Sequence, residues 1–168
     1  ASGIKAIVLT GVNTGDFGKT TGESFLDLLK ALNGVDGIER YRISSIEPNL
    51  LAAEIVKWIA SGTKFLPHFH IPLQSGCDTI LGAMKRRYTT EMFRSKIELI
   101  RANMEHVFFG IDVIVGFPGE TEELFMETYS FLESVKPAFI HIFPYSIRPN
   151  TVAAGMECQV DSQVKDER

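Results

Sequence analysis

Five short apolar runs, each followed by a segment with helical periodicity, constrain the fold of this chain more than any other feature. The runs cover residues 4–9, 41–46, 65–73, 107–115 and 139–143. A helix between two strands lets them pair in parallel through a right-handed crossover, and near-continuous apolar strands are typical of a sheet buried on both faces. A closed eight-stranded barrel takes about 250 residues, whereas this chain has 168. We therefore predict an α/β fold in which parallel strands form a partial barrel or an open sheet.

Polar residues mark the ends of the predicted helices. Ser24 is placed to cap a helix that begins near Phe25, and Thr90 to cap a helix that carries Phe93. Side-chain oxygens at such positions accept hydrogen bonds from the free N–H groups of the first helical turn. Beyond Asn150 the periodicity fades, so we expect the tail to be loosely ordered.

Composition narrows the class of protein. A hydrophobic content of 45% is ordinary for a globular protein, and the length predicts one domain over residues 1–168. No apolar run approaches the roughly 18 residues that cross a membrane, and no leader is recognisable, so we expect a cytoplasmic protein. The net charge of −4 argues against a wholly basic nucleic-acid binder but leaves room for a basic patch. Cys77 and Cys158 lie too far apart for a CxxC-type motif.

Polar side chains collect in and just after the carboxyl-terminal halves of the predicted strands, where parallel α/β sheets place their ligands. They are amides, hydroxyls and acceptors, which suit hydrogen bonding to a nucleoside or an amino acid better than proton abstraction. The alternative is that they only cap helices. The turn GFPGE at residues 116–120 could receive an anion or an adenine edge, or be purely structural. The polar set is Asn13, Ser44, Ser45, Glu47, Gln74, Ser75, Asp112, Glu120, Tyr145 and Ser146.

Two further clusters allow other chemistries. His68 and His70 alternate onto one strand face and, with His141 or Asp112, would make a metal site of the hydrolase type; the alternative is that they are core or rim histidines. The densest basic cluster could bind a phosphate backbone. The alternative is that it is only a solvated helix end. It consists of Lys85, Arg86 and Arg87, followed by Tyr88.

Several stretches together resemble the radical-SAM methylthiotransferases. They are LTGVNTGDFG (9–18), RISSIEP (42–48), HIPLQSG with MKRRYT (70–76 and 84–89), DVIVGFPGET (112–121) and FPYSIRPNTVAA (143–154). Their order and spacing match that family across almost the whole chain. The TGVNTG and SSIEP strings are most similar to the subgroup that modifies N6-threonylcarbamoyladenosine in tRNA. One departure is Asn150, where relatives usually have glycine.

The resemblance implies a partial barrel of six parallel strands, of which this chain would hold five. It also implies methylthiolation of C2 of N6-threonylcarbamoyladenosine beside the anticodon, with S-adenosylmethionine (SAM) and two [4Fe-4S] clusters as cofactors and tRNA as partner. Gln74 and Ser75 are the leading candidates to hold the ribose or amino-acid part of SAM, and the basic cluster Lys85, Arg86 and Arg87 would contact tRNA. The implied cofactor and substrate cavity is lined by Thr10, Gly11, Asn13, Ser44, Gln74, Ser75, Asp112, Gly116, Glu120, Phe143 and Tyr145.

The sequence also departs from that family. It lacks the CxxxCxxC loop of the radical-generating cluster and the three cysteines of the second cluster, and it begins without Met. We therefore expect a truncated core without the amino-terminal cluster domain, the first strand and the carboxyl-terminal RNA-binding domain. Such a fragment would hold no cluster and no catalytic residue and would be inactive alone, and the unpaired edge of its strand at residues 4–9 would favour homo-oligomers.

Two other hypotheses stay open from the sequence. The chain could be a nucleotide- or RNA-binding module without catalysis, or a metal-dependent barrel hydrolase that uses His68 and His70.

Overall fold

The computed structural model describes residues 3–11 and 14–168. Strands and helices alternate along this part of the chain in the predicted order. The strands are β1 (Ala6–Leu9), β2 (Arg40–Ile43), β3 (His68–His70), β4 (Phe108–Val115) and β5 (Phe139–Pro144). The α-helices are α1 (Phe25–Asn33), α2 (Ala53–Ala60), α3 (Asp78–Ala83), α4 (Thr90–Asn103), α5 (Glu122–Val135) and α6 (Ser162–Glu167), with 3-10 turns at Thr14–Asp16 and Val152–Gly155.

All of the strand pairs are parallel, and neighbours in sequence are neighbours in space. β1 pairs with β2, and β4 pairs with both β3 and β5. The two parts of the sheet are joined by single bridges between Tyr41 and Phe65 and between Ser45 and His70. The order is therefore β1 to β5 without interruption, and the predicted parallel α/β fold is confirmed.

The third strand is much shorter than predicted. The apolar run at residues 65–73 is a strand only at His68–His70. Pro67 and Pro72 lie on either side of it, and a proline has no N–H group to give to a strand ladder. The chain returns to the sheet at Gln74, which forms a single bridge with Val113.

One helix cap is as predicted and another lies one residue away. The Ser24 side chain accepts the N–H of Asp27, whose carboxylate accepts the N–H of Ser24, so that α1 begins with a capping box. The predicted cap at Thr90 is wrong, because the Thr89 side chain accepts the N–H of Met92. Thr90 is instead the first helical residue of α4.

The helices cover one face of the sheet, and the hydrophobic core lies between them. Along β4, Phe109, Ile111 and Val113 are buried in this core. The alternate residues on β4 face away from it, and Phe108 is 39% exposed. Among the described residues, the expectation of a sheet buried on both faces is therefore wrong, because a curved sheet that does not close leaves its inner face open.

The tail is ordered, contrary to the sequence expectation. The Thr151 side chain accepts the N–H of Ala154, and the Asp161 side chain accepts the N–H of Gln163 at the start of α6. Arg168 then binds Glu120, with 2.7 Å between Nη1 and Oε2. Local caps and one buried ion pair thus fix a segment that lacks strong hydrophobic periodicity.

Within residues 3–11 and 14–168, no helix combines the length and the apolar character that crossing a membrane requires.

Candidate functional site

The carboxyl ends of the strands lie at one edge of the sheet because the strands are parallel. Backbone hydrogen bonds continue past the strands at this edge. The N–H of Ser44 donates to the carbonyl oxygen of Leu9 (2.9 Å), and the N–H of Tyr145 donates to that of Val115 (2.8 Å). The residues that follow the strands are therefore held close to one another by the sheet itself.

A cavity of about 540 Å³ lies at the ends of the last three strands, and we call it the β3–β5 cavity. This volume is within the roughly 300–1,000 Å³ that small-molecule and cofactor sites occupy. Four members of the predicted cofactor set line it, namely Gln74, Asp112, Phe143 and Tyr145. The complete lining is Gln74, Asp112, Ile114, Phe143, Pro144, Tyr145, Ser146, Arg148, Thr151 and Ala153.

Gln74 reaches this cavity from an unusual backbone conformation. Its φ is 67°, which is uncommon for a residue other than glycine. The N–H groups of both Leu73 and Gln74 donate to the carbonyl oxygen of Asp112, at 3.1 and 2.8 Å. Two residues of this segment therefore lie opposite one residue of β4, as in a β-bulge. Strained backbone of this kind is concentrated at functional sites and is held there by its surroundings.

Opposite charges and aromatic rings meet in the same cavity. Asp112 and Arg148 supply a carboxylate and a guanidinium, and Phe143 and Tyr145 supply ring faces. The hydroxyl oxygen of Tyr145 is buried and has no hydrogen-bond partner among the described residues. A buried hydroxyl without a partner is costly.

Two other predicted residues do not line the cavity but form hydrogen bonds in the turns beside it. Ser75 is fully buried, and its Oγ lies 3.0 Å from Thr128 Oγ1 and accepts the N–H of Cys77. Glu120 is 4% exposed and accepts the N–H of Gly116 at 2.6 Å. Burial raises the pKa of Glu120, although Gly116 and then Arg168 act in the opposite direction.

The predicted residues of the first two strands lie elsewhere. Thr10 and Gly11 line a second cavity of about 590 Å³ beside α1, together with Phe17 and Phe25. Ser44 is half-buried and lines neither cavity. The predicted residue Asn13 lies outside the described residues.

The basic cluster surrounds a separate polar recess of about 240 Å³. Lys85, Arg86 and Arg87 line it together with Lys19, Glu47 and Asp16. Arg86 Nη1 is 3.7 Å from Glu47 Oε1, whereas Lys85 and Arg87 are exposed. The recess has more cationic than anionic side chains, so its charge suits the binding of a polyanion.

The open face of the sheet carries a row of aromatic rings and histidines. His68 stacks on Phe108 with 4.6 Å between the ring centroids. Burial, followed by electrostatic repulsion from Arg42 and His70, lowers the pKa of His68. His68 is therefore biased towards the neutral imidazole.

His70 belongs to a different group on this face. His70 Nε2 is 2.7 Å from Asp112 Oδ1, and the His141 ring stacks on the His70 ring with 5.4 Å between centroids. One possible ligand atom of each residue lies within 4.8 Å of the other two. His68 is not in this group, so the alternative in which His68 and His70 are ligands together is not supported by the described residues.

Two polar residues of the β3–β5 cavity were missed by the sequence prediction, namely Arg148 and Thr151. Thr151 lies in the segment that we expect from the sequence to be loosely ordered, and Arg148 lies just before it. The available signal was Thr151 followed by Val-Ala-Ala, since a threonine before apolar residues is a typical cap.

Comparison with known sequences places these features in a family. A model described as the Radical SAM superfamily matches residues 1–132. The threonylcarbamoyladenosine tRNA methylthiotransferase MtaB of Bacillus subtilis is 46% identical over 99% of this chain, which covers 38% of that protein. The tRNA-2-methylthio-N(6)-dimethylallyladenosine synthase of Alkaliphilus oremlandii is 42% identical over 99% of this chain, which covers 36% of it. The chain thus spans less than two fifths of these relatives.

Solved structures agree at the level of the fold. The radical S-adenosylmethionine methyltransferase TsrM of Kitasatospora setae has a TM-score of 0.66 at 14% identity, over 84% of this chain and 28% of that chain. Coproporphyrinogen III oxidase (HemN) of Escherichia coli, a radical SAM enzyme, has a TM-score of 0.64 at 18% identity, over 83% of this chain and 33% of that chain. These likenesses confirm the predicted partial barrel. Because the family match covers most of its length, the chain belongs to the radical SAM superfamily.

Proposed function

We propose that this chain carries the SAM cavity of a tRNA methylthiotransferase that acts on C2 of N6-threonylcarbamoyladenosine beside the anticodon. The observation that carries the proposal is the β3–β5 cavity at the strand ends of a radical SAM chain. Relatives named for threonylcarbamoyladenosine tRNA, from Bacillus subtilis and Aquifex aeolicus, are 46% and 42% identical over 99% of the chain.

The chemistry of the β3–β5 cavity fits SAM. Asp112 would pair with the α-amino group and Arg148 with the α-carboxylate, while the rings of Phe143 and Tyr145 would flank the adenine. The Gln74 amide offers both a donor and an acceptor, as the ribose hydroxyls require. Ser75 and Glu120 would act from behind by fixing the turns that carry these groups.

The residues of this chain do not fit an iron–sulfur cluster. Clusters are held mainly by cysteine thiolates, and the chain has two cysteines, Cys77 and Cys158. Cys77 is buried at the start of α3, and burial followed by the nearby Glu127 carboxylate raises the pKa of its thiol, which disfavours the thiolate. The two [4Fe-4S] clusters that we propose for the intact enzyme would need other cysteines. The part of this chain is to bind and orient SAM.

Titration calorimetry of the chain with SAM tests the cavity. We expect one SAM per chain and at least about tenfold weaker binding by Gln74→Ala, because the lost amide leaves ligand hydroxyls without partners. Gln163→Ala is the matched control, since Gln163 is exposed on α6 outside the cavity lining. Absence of binding, or equal losses in the two variants, would contradict the assignment.

The substrate is tested on the complete gene product with its clusters reconstituted. It would be given tRNA that carries either N6-threonylcarbamoyladenosine or N6-dimethylallyladenosine, and the nucleosides would be analysed by mass spectrometry. We expect the methylthio group only on the first substrate. Product on the second would show that the chain belongs with the dimethylallyladenosine synthases to which it is also similar.

We also propose that the basic recess contacts the tRNA backbone. Lys85 and Arg87 are exposed beside it. The double variant Lys85→Ala/Arg87→Ala should weaken tRNA binding several-fold and lower the slope of log K against log salt by about 2, because two phosphate contacts are lost. The control Lys30→Ala/Lys57→Ala removes two exposed lysines from α1 and α2. Equal salt slopes for the two double variants would contradict the proposal.

A further inference from the structure

The group of His70, Asp112 and His141, which we call the His/Asp cluster, is built by three neighbouring strands. Asp112 on β4 is the direct register partner of His141 on β5. His70 on β3 is the partner of Gly110, two residues before Asp112 and therefore on the same face of β4. The parallel register thus places two imidazoles and one carboxylate side by side on the open face of the sheet.

Gly110 leaves room for the His70 ring. A Cβ atom at Gly110 would lie 3.7 Å from the Cγ atom of His70, in van der Waals contact with the ring. A longer side chain at position 110 would occupy the space between His70 and its neighbours. With glycine there, the His70 ring reaches forward along the sheet to Asp112, at 2.7 Å.

The separations in the His/Asp cluster are close to those around a bound ion. One possible ligand atom of each residue lies within 4.8 Å of the others. Ligands at about 2.0–2.2 Å from one metal ion lie about 3 Å apart. His70 and Asp112 already meet this separation, and the exposed His141 would have to change its side-chain conformation to complete the set. Binding would replace one hydrogen bond, with His70 Nε2 facing the ion and its ring proton on Nδ1.

Neighbouring side chains limit the orientations of the residues in the His/Asp cluster. The His70 and Asp112 side chains are 24% and 21% exposed. The His141 ring lies between Phe139, with 4.6 Å between centroids, and Phe143, at 6.1 Å. Contacts with neighbouring rings help to orient a ligand imidazole.

We propose that His70, Asp112 and His141 bind one divalent transition-metal ion with two imidazoles and one carboxylate. Imidazole and carboxylate ligands in this ratio suit Zn²⁺, Fe²⁺ and Co²⁺ and leave coordination positions open. Asp112 also lines the β3–β5 cavity, so the ion would lie at the base of that cavity. Its open positions would accept an oxygen, nitrogen or sulfur atom of a bound molecule.

Titration of the metal-free chain with Zn²⁺ by calorimetry, and with Co²⁺ by visible absorption, tests the site. We expect one ion per chain, and at least about tenfold weaker binding by His141→Ala, whose side chain is exposed and whose loss leaves the core intact. Asp112→Asn should weaken binding similarly, since a neutral amide is a poorer ligand. His68→Ala is the matched control, because His68 lies on the same strand and face but outside the cluster.

Circular dichroism of each variant verifies that the fold is kept. No stoichiometric binding, or equal binding by His141→Ala and His68→Ala, would overturn the proposal. The titration contains no SAM, so its result is independent of the proposed function. If the chain binds metal but not SAM, the metal site is supported and the SAM cavity is not. If it binds SAM but not metal, the SAM cavity is supported and the metal site is not.

Discussion

Tyr88 links the basic cluster to the segment that leads into the β3–β5 cavity. It is buried, and its hydroxyl donates to the carbonyl oxygens of Pro72 and Leu73 at 3.1 and 3.2 Å. We expect Tyr88→Phe to lower the free energy of unfolding by about 1 kcal/mol, because Pro72 loses its donor. Urea denaturation measures the change. The control Tyr129→Phe alters a half-exposed tyrosine and should change the free energy by less than about 0.5 kcal/mol.

The same side chain predicts a pH dependence. Burial raises the pKa of Tyr88 to about 12 from a usual value of 10. The folded state therefore keeps a proton that the unfolded state loses between these two pH values. The contribution of Tyr88 to stability is therefore complete below the unfolded-state pKa of 10 and is lost as the pH rises towards the folded-state pKa of about 12. The difference in stability between wild type and Tyr88→Phe should shrink from about pH 9 to about pH 11. A constant difference would contradict this.

Which polar residues lie at the strand ends could be predicted from the sequence, but not which way each one faces. Gln74 and Ser75 are adjacent, yet Gln74 lines the cavity and Ser75 is buried against Thr128. The difference arises from the positive φ of Gln74 and from the approach of α5, and neither has a local signal. Asn150 is a simpler case, since asparagine tolerates the left-handed region and its φ here is 66°.

At the scale of the elements, the start of α3 packs tightly against α5 at Gly76. A Cβ atom at Gly76 would lie 2.8 Å from Phe131 Cβ and 2.9 Å from Thr128 Cα. The backbone of α5 cannot yield cheaply, so we expect Gly76→Ala to lower the free energy of unfolding by about 1–3 kcal/mol.

Gly82, within α3, provides the matched control for this substitution. A Cβ atom there would meet nothing within 4 Å. Gly82→Ala should therefore raise the free energy of unfolding by about 0.5–1 kcal/mol, because alanine favours the helix. Urea denaturation of both variants gives the two values. Changes of the same sign would show that helix propensity, and not the close approach to α5, governs Gly76.

The ion pair of Arg168 fastens α6 to the turn before α5. The side chains of Arg168 and Glu120 are 6% and 1% exposed. Arg168→Ala leaves a buried carboxylate without its cation, and we expect a loss of about 3 kcal/mol. Glu122→Gln is the control, since Glu122 pairs with Arg168 at 3.2 Å but is 67% exposed, and such pairs contribute less than about 1 kcal/mol. Equal losses in urea denaturation would contradict the role of burial.

The elements that sequence patterns predicted best are those with both periodicity and caps. The helix that begins at Phe25 has both, and its bounds follow from them. The third strand has alternating apolar residues, but its prolines remove ladder donors, so the pattern overestimates its length. The tail has caps without a hydrophobic stripe, and its order depends on Glu120, which is distant in sequence.

At the scale of the whole molecule, the order of the strands follows from the alternation of strands and helices, whereas the open face does not. Apolar residues such as Phe108 and Phe143 on both faces of the strands predicted burial on both sides. In the structure these two rings are 39% and 50% exposed on the face opposite the helices. A sequence pattern reports hydrophobicity and not whether a sheet closes on itself, and this inner face is where the cavity and the His/Asp cluster are found.

The ends of the sheet predict self-association. In residues 3–11 and 14–168, β1 pairs only with β2, so its other edge has unpaired N–H and C=O groups. Ile4 and Val8 beside this edge are 56% and 49% exposed. An exposed apolar edge strand is a template for pairing with another chain.

We therefore expect a concentration-dependent dimer in sedimentation velocity. Val8→Lys should shift the equilibrium towards monomer by placing a charge on the edge strand. The matched control is Val152→Lys, which adds the same charge at a valine that is 73% exposed outside the sheet. If net charge alone governed association, both variants would weaken the dimer equally, whereas pairing through β1 requires that only Val8→Lys does so. A monomer at the highest concentration would show that the edge of β1 is not used.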